Sequence, residues 1–266
     1  MDFSSPGIMG ILNITPDSFF DKSRKQTEEE IVERVWQMED EGADIFDVGG
    51  YSSRPSAVFV DEAEEMRRLE WGLKILFREL PDAIVSVDTF RSEVARRCVE
   101  DFGVAIINDI SAGGLDEKMF DTVARLRVPY IAMHSCGNPQ NMMEHTSYGN
   151  LMQEILLYFA EKVNQLRRKG VNDVWIDPGF GFSKTTAQNF EILKNLEEFH
   201  IFESPVVVGI SRKTLIRETL NVSAGNSLNG TTALNMFALM KGAHILRVHD
   251  IKEARQTILL AKTLSC

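Results

Sequence analysis

Short apolar runs alternate with longer amphipathic stretches along almost the whole chain. The runs Ile8–Asn13, Asp44–Gly49, Ile84–Asp88, Val104–Ile110, Tyr130–His134, Val174–Asp177, Val206–Gly209 and His244–Val248 are short and almost uniformly apolar, and they predict eight strands buried on both faces. Between them apolar residues recur at helical spacing. Thr27–Glu41 carries Ile31, Val35 and Met38 on one face, and Ala63–Leu80 opens within the acidic run Asp61–Glu65. Helices are also predicted over Arg91–Asp101, Glu117–Leu126, Tyr148–Lys169, Ala187–Phe199, Leu228–Lys241 and Lys252–Leu264. Gly42, Gly103, Gly170 and Gly242 follow four of these patterns, where glycine ends a helix.

Parallel neighbours need helical crossovers, so strict alternation of buried strand and helix implies a parallel sheet of the α/β class. Eight strands is the number that closes, and 266 residues is close to the roughly 250 that a closed barrel uses. An open doubly wound sheet usually takes fewer strands at this length. No linker or low-complexity tract marks a second unit. The expectation is one (β/α)8 TIM-barrel domain over residues 1–266.

Composition narrows the setting. With 44% hydrophobic and 26% charged residues the chain reads as a globular protein with ample core. No apolar run reaches the roughly 18 residues of a membrane span, and the start MDFSSPGIMG lacks the marks of a signal peptide, so a cytoplasmic protein with no membrane partner is expected. Cys98, Cys136 and Cys266 are far apart and form no CxxC pair, so reduced thiols are expected. A formal net charge of -10 disfavours nucleic acid as a partner and turns attention to local cationic clusters.

Catalytic side chains of such a barrel sit where strands end, at the C-terminal rim. Here the strands run into Asn13, Asp47, Asp88, Asn108 with Asp109, His134, Asp177, Ser211 to Lys213, and Arg247 with His249; the loop GGYSSRP after the second strand brings Ser53 and Arg54. Any one of these could equally cap a helix or close a turn, or pair in a rim salt bridge. Together they mix cations with acceptors. That mixture suits a substrate with two ends: a guanidinium makes forked bonds to phosphate, and a buried carboxylate accepts two parallel N–H bonds from an aminopyrimidine-like ring.

The rim segments IMGILNITPDSF, DVGGYSSRP, SVDTFRSEVA, INDISAGG, MHSCGNPQNM, IDPGFGFSKT, GISRKT and GTTALNMFALMKGAHILRVHDIKEA, in that order from Ile8 to the region of Arg255, resemble dihydropteroate synthases. The resemblance implies that p-aminobenzoate attacks the exocyclic methylene of 6-hydroxymethyl-7,8-dihydropterin diphosphate, with magnesium assisting diphosphate departure. It implies that Asp88, Asn108, Met133, Asp177, Lys213 and Arg247 hold the pterin, Arg247 by stacking on its face. Asn13, Ser53, Arg54, Arg247 and His249 fall to the diphosphate, with Asn13 on the metal; Ser53, Pro55, Phe182, Lys213 and Thr214 fall to p-aminobenzoate. Lys213, Arg247 and Asp88 are the expected catalytic groups, and a homodimer through outer helices is expected. The chain departs from the family pattern at Tyr51 and Ser53, and around Phe20, Lys22, Ser23, Ser56 and Phe59.

Other readings are weaker. His134 and Cys136 make too few ligands for zinc, and a Cys136 nucleophile has no assured hydrogen bond to His134. Met236 and Met240 are helix-spaced core candidates. A barrel that binds methyltetrahydrofolate for corrinoid-dependent methyl transfer would share the fold, but it has no diphosphate to engage Lys213, Arg247 and His249. A catalytically silent, pterin-binding paralogue would lack turnover of p-aminobenzoate.

Overall fold

The computed structural model describes residues 5–14, 27–51 and 60–264. Its parallel strands are β1 (Gly7–Asn13), β2 (Ile45–Gly49), β3 (Val85–Asp88), β4 (Ile106–Asp109), β5 (Tyr130–Met133), β6 (Val174–Asp177), β7 (Val207–Val208) and β8 (Ile245–Val248). They form one eight-stranded sheet in the order β6-β5-β4-β3-β2-β1-β8-β7. The remaining seam is bridged where Ile176 pairs in parallel with Val206 and the Ile176 N–H donates to the Pro205 carbonyl at 2.9 Å. The sheet therefore comes round on itself as the expected (β/α)8 barrel.

The crossovers are α1 (Glu28–Asp40), α2 (Glu62–Glu79), α3 (Ser92–Phe102), α4 (Met119–Leu126), α5 (Leu151–Arg168), α6 (Thr186–Lys194), α7 (Thr214–Leu220), α8 (Leu228–Met240) and α9 (Ile251–Leu264). Local chemistry sets their ends. Thr27 and Glu30 form a capping box on α1, each side chain taking the other's backbone N–H, and α3 stops at Gly103, whose φ of 76° suits a residue without a Cβ. Two elements differ from the expectation. After β7 the chain forms both α7 and α8, because seven residues of α7 are too few to print a helical period; and the end of the helix expected over Ala187–Phe199 is a 3₁₀ segment, Leu196–Phe202.

Strand side chains alternate between two environments. One set packs outward under the helices with Ile31, Val35, Met38, Leu69, Leu73 and Leu76 among many others. The other fills the lumen: Met9, Ile45, Ile106, Ile131, Trp175, Val207 and Ile245 form a separate, fully buried cluster. The next residues on the lumen face, two positions on, are Ile11, Asp47, Asn108, Met133, Asp177, Gly209 and Arg247. On β3 the same step leads from buried Ser86 to Asp88. An apolar plug thus closes the lumen below a layer that is mostly polar. Among the described residues no helix is long and apolar enough to cross a membrane.

Trp175 is the largest fully buried side chain and lies directly below Asp177 on β6. Trp175→Ala should lower the unfolding free energy by about 3–5 kcal/mol. Denaturant melts of the two proteins measure this; a loss well under ~1 kcal/mol would mean that the plug is not tightly packed.

Candidate active site

Arg247, rising from β8, joins the polar layer together. Its Nε donates to Asp47 Oδ2 at 2.6 Å and its Nη2 to Asp88 Oδ2 at 2.8 Å. Asp47 also accepts from Asn108 Nδ2, at 3.2 and 3.4 Å to its two oxygens. One guanidinium and one carboxylate therefore connect β2, β3, β4 and β8. Just beyond β7, a Cβ on Gly209 would lie 3.8 Å from both Arg247 and Asp177 Oδ2, so glycine there leaves open the space between these two groups.

The opposite wall is built by β6 and the loops after β6 and β7. Asp177 Oδ1 accepts from the Gly179 N–H at 2.8 Å. Lys213 Nζ donates to the Phe180 carbonyl at 2.6 Å and stands 4.8 Å from the centre of the Phe182 ring. A Cβ on Gly181, whose φ is +80°, would meet Lys213 Cδ at 3.2 Å, so this close approach also needs glycine. Met133, 3% exposed, ends β5 beside Asp177, its register partner. At the β8 end Ser211 Oγ lies 3.1 Å from His249 Nδ1 and accepts the His249 N–H at 3.2 Å, while Arg34 donates to the His249 carbonyl at 2.7 Å. Asn13 ends β1 opposite Gly49, its register partner.

Burial and charge set the protonation states. Burial raises Asp88 to about 7, with Arg247 opposing and Asp47 reinforcing the rise. Asp177 is also raised by burial, against the pull of Lys213, the Gly179 N–H and Arg247. Burial lowers Lys213 to about 8 despite Asp177, and lowers His249 to about 4 with help from Arg247. For Arg247 burial disfavours the charge, yet Asp47 and Asp88 outweigh it and the group is raised further. The rim thus holds a permanent guanidinium beside a carboxyl that changes charge near neutrality.

Of the residues expected from the sequence, Asp88, Asn108, Met133, Asp177, Lys213 and Arg247 come together around the lumen mouth, and Phe182 stands against Lys213. Thr214 begins α7, is exposed, and accepts from Arg217 at 2.8 Å. Ser53, Arg54 and Pro55 lie outside the described residues. Tyr51 is buried edge-on against Phe90, with its hydroxyl accepting from Gln140 Nε2 at 2.8 Å. His134 and Cys136 do not form a metal centre: among the described residues no three His, Cys, Asp or Glu are placed to share an ion, and His134 Nδ1 faces Lys184 Nζ at 2.9 Å. Two residues escape the sequence reading. Asp47 counts there only as a strand end without a role, although its position two residues beyond lumen-facing Ile45 marks it; Lys184, fully buried at the rim, carries no periodic signal.

The family model described as pterin binding enzyme matches residues 9–249, nearly the whole barrel, and so defines the class: a pterin-binding enzyme. The dihydropteroate synthase of Escherichia coli (strain K12) is 39% identical over 256 residues, covering 95% of this chain and 89% of that one. The crystal structure of Yersinia pestis dihydropteroate synthase with a sulfonamide drug superposes with a TM-score of 0.93 at 35% identity, covering 100% of this chain and 96% of that one. The Thermus thermophilus enzyme in complex with 4-aminobenzoate gives 0.88 at 35% identity, covering 99% and 96%. The chain belongs to the dihydropteroate synthase family.

An acid whose folded pKa is raised stabilises the fold fully below its unfolded value and loses that contribution as pH rises through the folded one. For Asp88 the loss runs from near 3.8 through about 7. Difference infrared spectra, with Asp88→Asn as the reference, should show its protonated carboxyl disappearing around neutrality. In Asp47→Asn the midpoint should fall, because a repelling anion is removed and Arg247 is left to Asp88; an unchanged or higher midpoint would contradict the coupling.

Proposed function

We propose that this rim condenses 6-hydroxymethyl-7,8-dihydropterin diphosphate with p-aminobenzoate, giving 7,8-dihydropteroate and diphosphate, with the two substrates held by two kinds of element. The observation that carries the reading is the gathering of Asp88, Asp177, Lys213 and Arg247 about one lumen mouth. Asp177 and Asn108 grip the polar edge of the pterin, with Asp88, Lys213 and Met133 completing the slot and Arg247 lying against the ring face. Arg247, His249 and Asn13, with Ser53 and Arg54, take the diphosphate. Phe182 walls the p-aminobenzoate site with Lys213, Thr214, Ser53 and Pro55. Small molecules of this kind are the partners, and one pterin-binding domain spans residues 1–266.

An aniline is a weak nucleophile, so the barrier falls chiefly by stabilising the departing diphosphate and the positive charge that develops on the pterin methylene. Arg247 and Lys213 face the first task, and the carboxylates of Asp88 and Asp177 face the second. Asn13 fits magnesium: its amide oxygen is a hard donor, glycine at position 49 leaves it open to one side, and this ion commonly takes few protein ligands alongside substrate phosphates. When bound there, magnesium would neutralise diphosphate charge.

A homodimer is part of the proposal: Leu220, Phe237 and Met240, the last exposed although helical spacing predicts it in the core, leave apolar surface on neighbouring α7 and α8, and Leu259, Leu260 and Leu264 do so on adjoining α9. So is a cytoplasmic setting, which suits the free thiols of Cys98 and Cys136.

A coupled diphosphate-release assay should give signal only with both substrates present, and magnesium should enhance it. Lys213→Ala and Asp177→Asn should each lower kcat/KM on the order of a hundredfold with the fold intact by circular dichroism; near-normal kinetics in either would remove that residue from the site. Sulfonamides should compete with p-aminobenzoate, so inhibition that excess p-aminobenzoate does not relieve would contradict the assignment of the second subsite.

A further inference from the structure

Lys184 is 1% exposed, yet it lies in a loop and among the described residues pairs with no carboxylate at bonding distance. Its ammonium instead meets three backbone carbonyls and one ring nitrogen: Phe182 at 2.9 Å, Gly179 at 3.1 Å, His134 at 3.3 Å, and His134 Nδ1 at 2.9 Å. These acceptors come from the loops after β5 and β6. The β6 loop bends at Gly179, Gly181 and Ser183, all with positive φ. It passes so near the β5 loop that a Cβ on Gly179 would collide with the His134 carbonyl. Ser183 Oγ stitches the same two loops, accepting the Cys136 N–H and donating to the Cys136 carbonyl, both at 2.8 Å.

We propose that Lys184 is a positioning residue for the second substrate: by drawing the Gly179, Phe182 and His134 carbonyls onto one point, it fixes the backbone that presents the Phe182 ring beside Lys213. The inference rests on the reading of Phe182 as the p-aminobenzoate wall. A methionine of similar volume would fill the space but could not hold three carbonyls together, since gathering them needs a donor with several hydrogens. His134, pushed down to about 2 by burial and then by Lys184, is neutral and offers Nδ1 as an acceptor to Lys184 Nζ, which burial itself lowers to about 7. The two ends of the loop are held independently: Asp177 pairs within the sheet with Met133, and Thr185 caps α6 through its box with Gln188. Between these anchors Phe182 depends on the loop's own bonds. Lys213 adds one bond, to the Phe180 carbonyl, Asn189 accepts the Gly181 N–H at 2.7 Å, and Lys184 is the donor that takes the Gly179 and Phe182 carbonyls on the inner side.

The position of Asp177 is set mainly by the strand and that of Phe182 by the loop, so losing Lys184 should separate the two substrates kinetically. In Lys184→Met, kcat/KM for p-aminobenzoate should fall on the order of a hundredfold through KM, as expected for a displacement of about 1 Å, while calorimetric affinity for the pterin diphosphate stays close to wild type. Phe182→Ala is measured beside it. If Phe182→Ala leaves the p-aminobenzoate KM unchanged, the subsite reading fails and the inference with it. If Phe182→Ala raises that KM but Lys184→Met only lowers the melting temperature and kcat, the subsite stands and the positioning role is overturned. Should Lys184→Met not fold, Lys184→Gln, whose shorter side chain and two N–H donors cannot reach all three carbonyls, decides: a raised p-aminobenzoate KM with unchanged pterin affinity supports the role, and an unchanged KM overturns it.

Discussion

A guanidinium buried between two carboxylates holds the mouth of this barrel in shape. Arg247 reaches Asp47 and Asp88 from β8, and Asp47 in turn engages Asn108, so four strands are tied by groups that cannot each find water elsewhere. Neither half is tolerable alone: a lone buried guanidinium lacks compensation, and two neighbouring carboxylates without it would repel or protonate. The arrangement settles this by sharing. Asp47, 1% exposed and touched by both Arg247 and Asn108, is satisfied within the protein, whereas Asp88 keeps a carboxyl that titrates near neutrality. The same cluster that stabilises the rim therefore leaves one of its members chemically responsive.

The polarity of that cluster depends on the dryness beneath it. Met9, Ile45, Ile106, Ile131, Trp175, Val207 and Ile245 form a buried apolar layer in the lumen, so the charges above them act in a medium of low polarisability on one side. Strand periodicity does the placing. A residue two positions beyond a plug residue emerges on the same face, one layer higher, and on β2, β4, β6 and β8 that residue is Asp47, Asn108, Asp177 and Arg247. Gly209, just beyond β7, contributes no side chain at this level and leaves open the space between Arg247 and Asp177.

Strand-borne parts of this site are legible because period two and the end of an apolar run are both visible in a sequence. Asp88, Met133, Asp177 and Arg247 each lie at or next to the end of such a run, Asn108 is the polar break before the end of its own, and the structure brings them together. Asp47 sits inside its run, where a buried acid looks like an interruption until its lumen-facing parity is known. Loop-borne parts carry no such rhythm. The burial of Lys184 follows from carbonyls supplied by two separate loops, a convergence that no local window contains, and α7 is shorter than the window needed to detect it. Tyr51 stands out in the sequence as a departure from the family pattern; its meaning lies in Phe90 and Gln140, distant along the chain.

Two substrates and two kinds of scaffold meet at this rim, and the physical demands of each match. A flat heterocycle read by its hydrogen-bonding edge needs donors and acceptors fixed to fractions of an ångström, which paired strands supply through register. A second substrate that must arrive, react and leave within a product is better served by a wall that is firm but not part of the sheet. Lys213 and Lys184 make the β6 loop such a wall from opposite sides, the first holding the Phe180 carbonyl beside the mouth and the second holding the Gly179 and Phe182 carbonyls from within. An ammonium suits the task because its several donors radiate from one centre and can gather carbonyls pointing from different directions, whereas a planar guanidinium would impose a fixed fork. The division of cations follows: arginine where a planar group must lock two carboxylates in the sheet, lysine where an irregular loop must be folded onto itself.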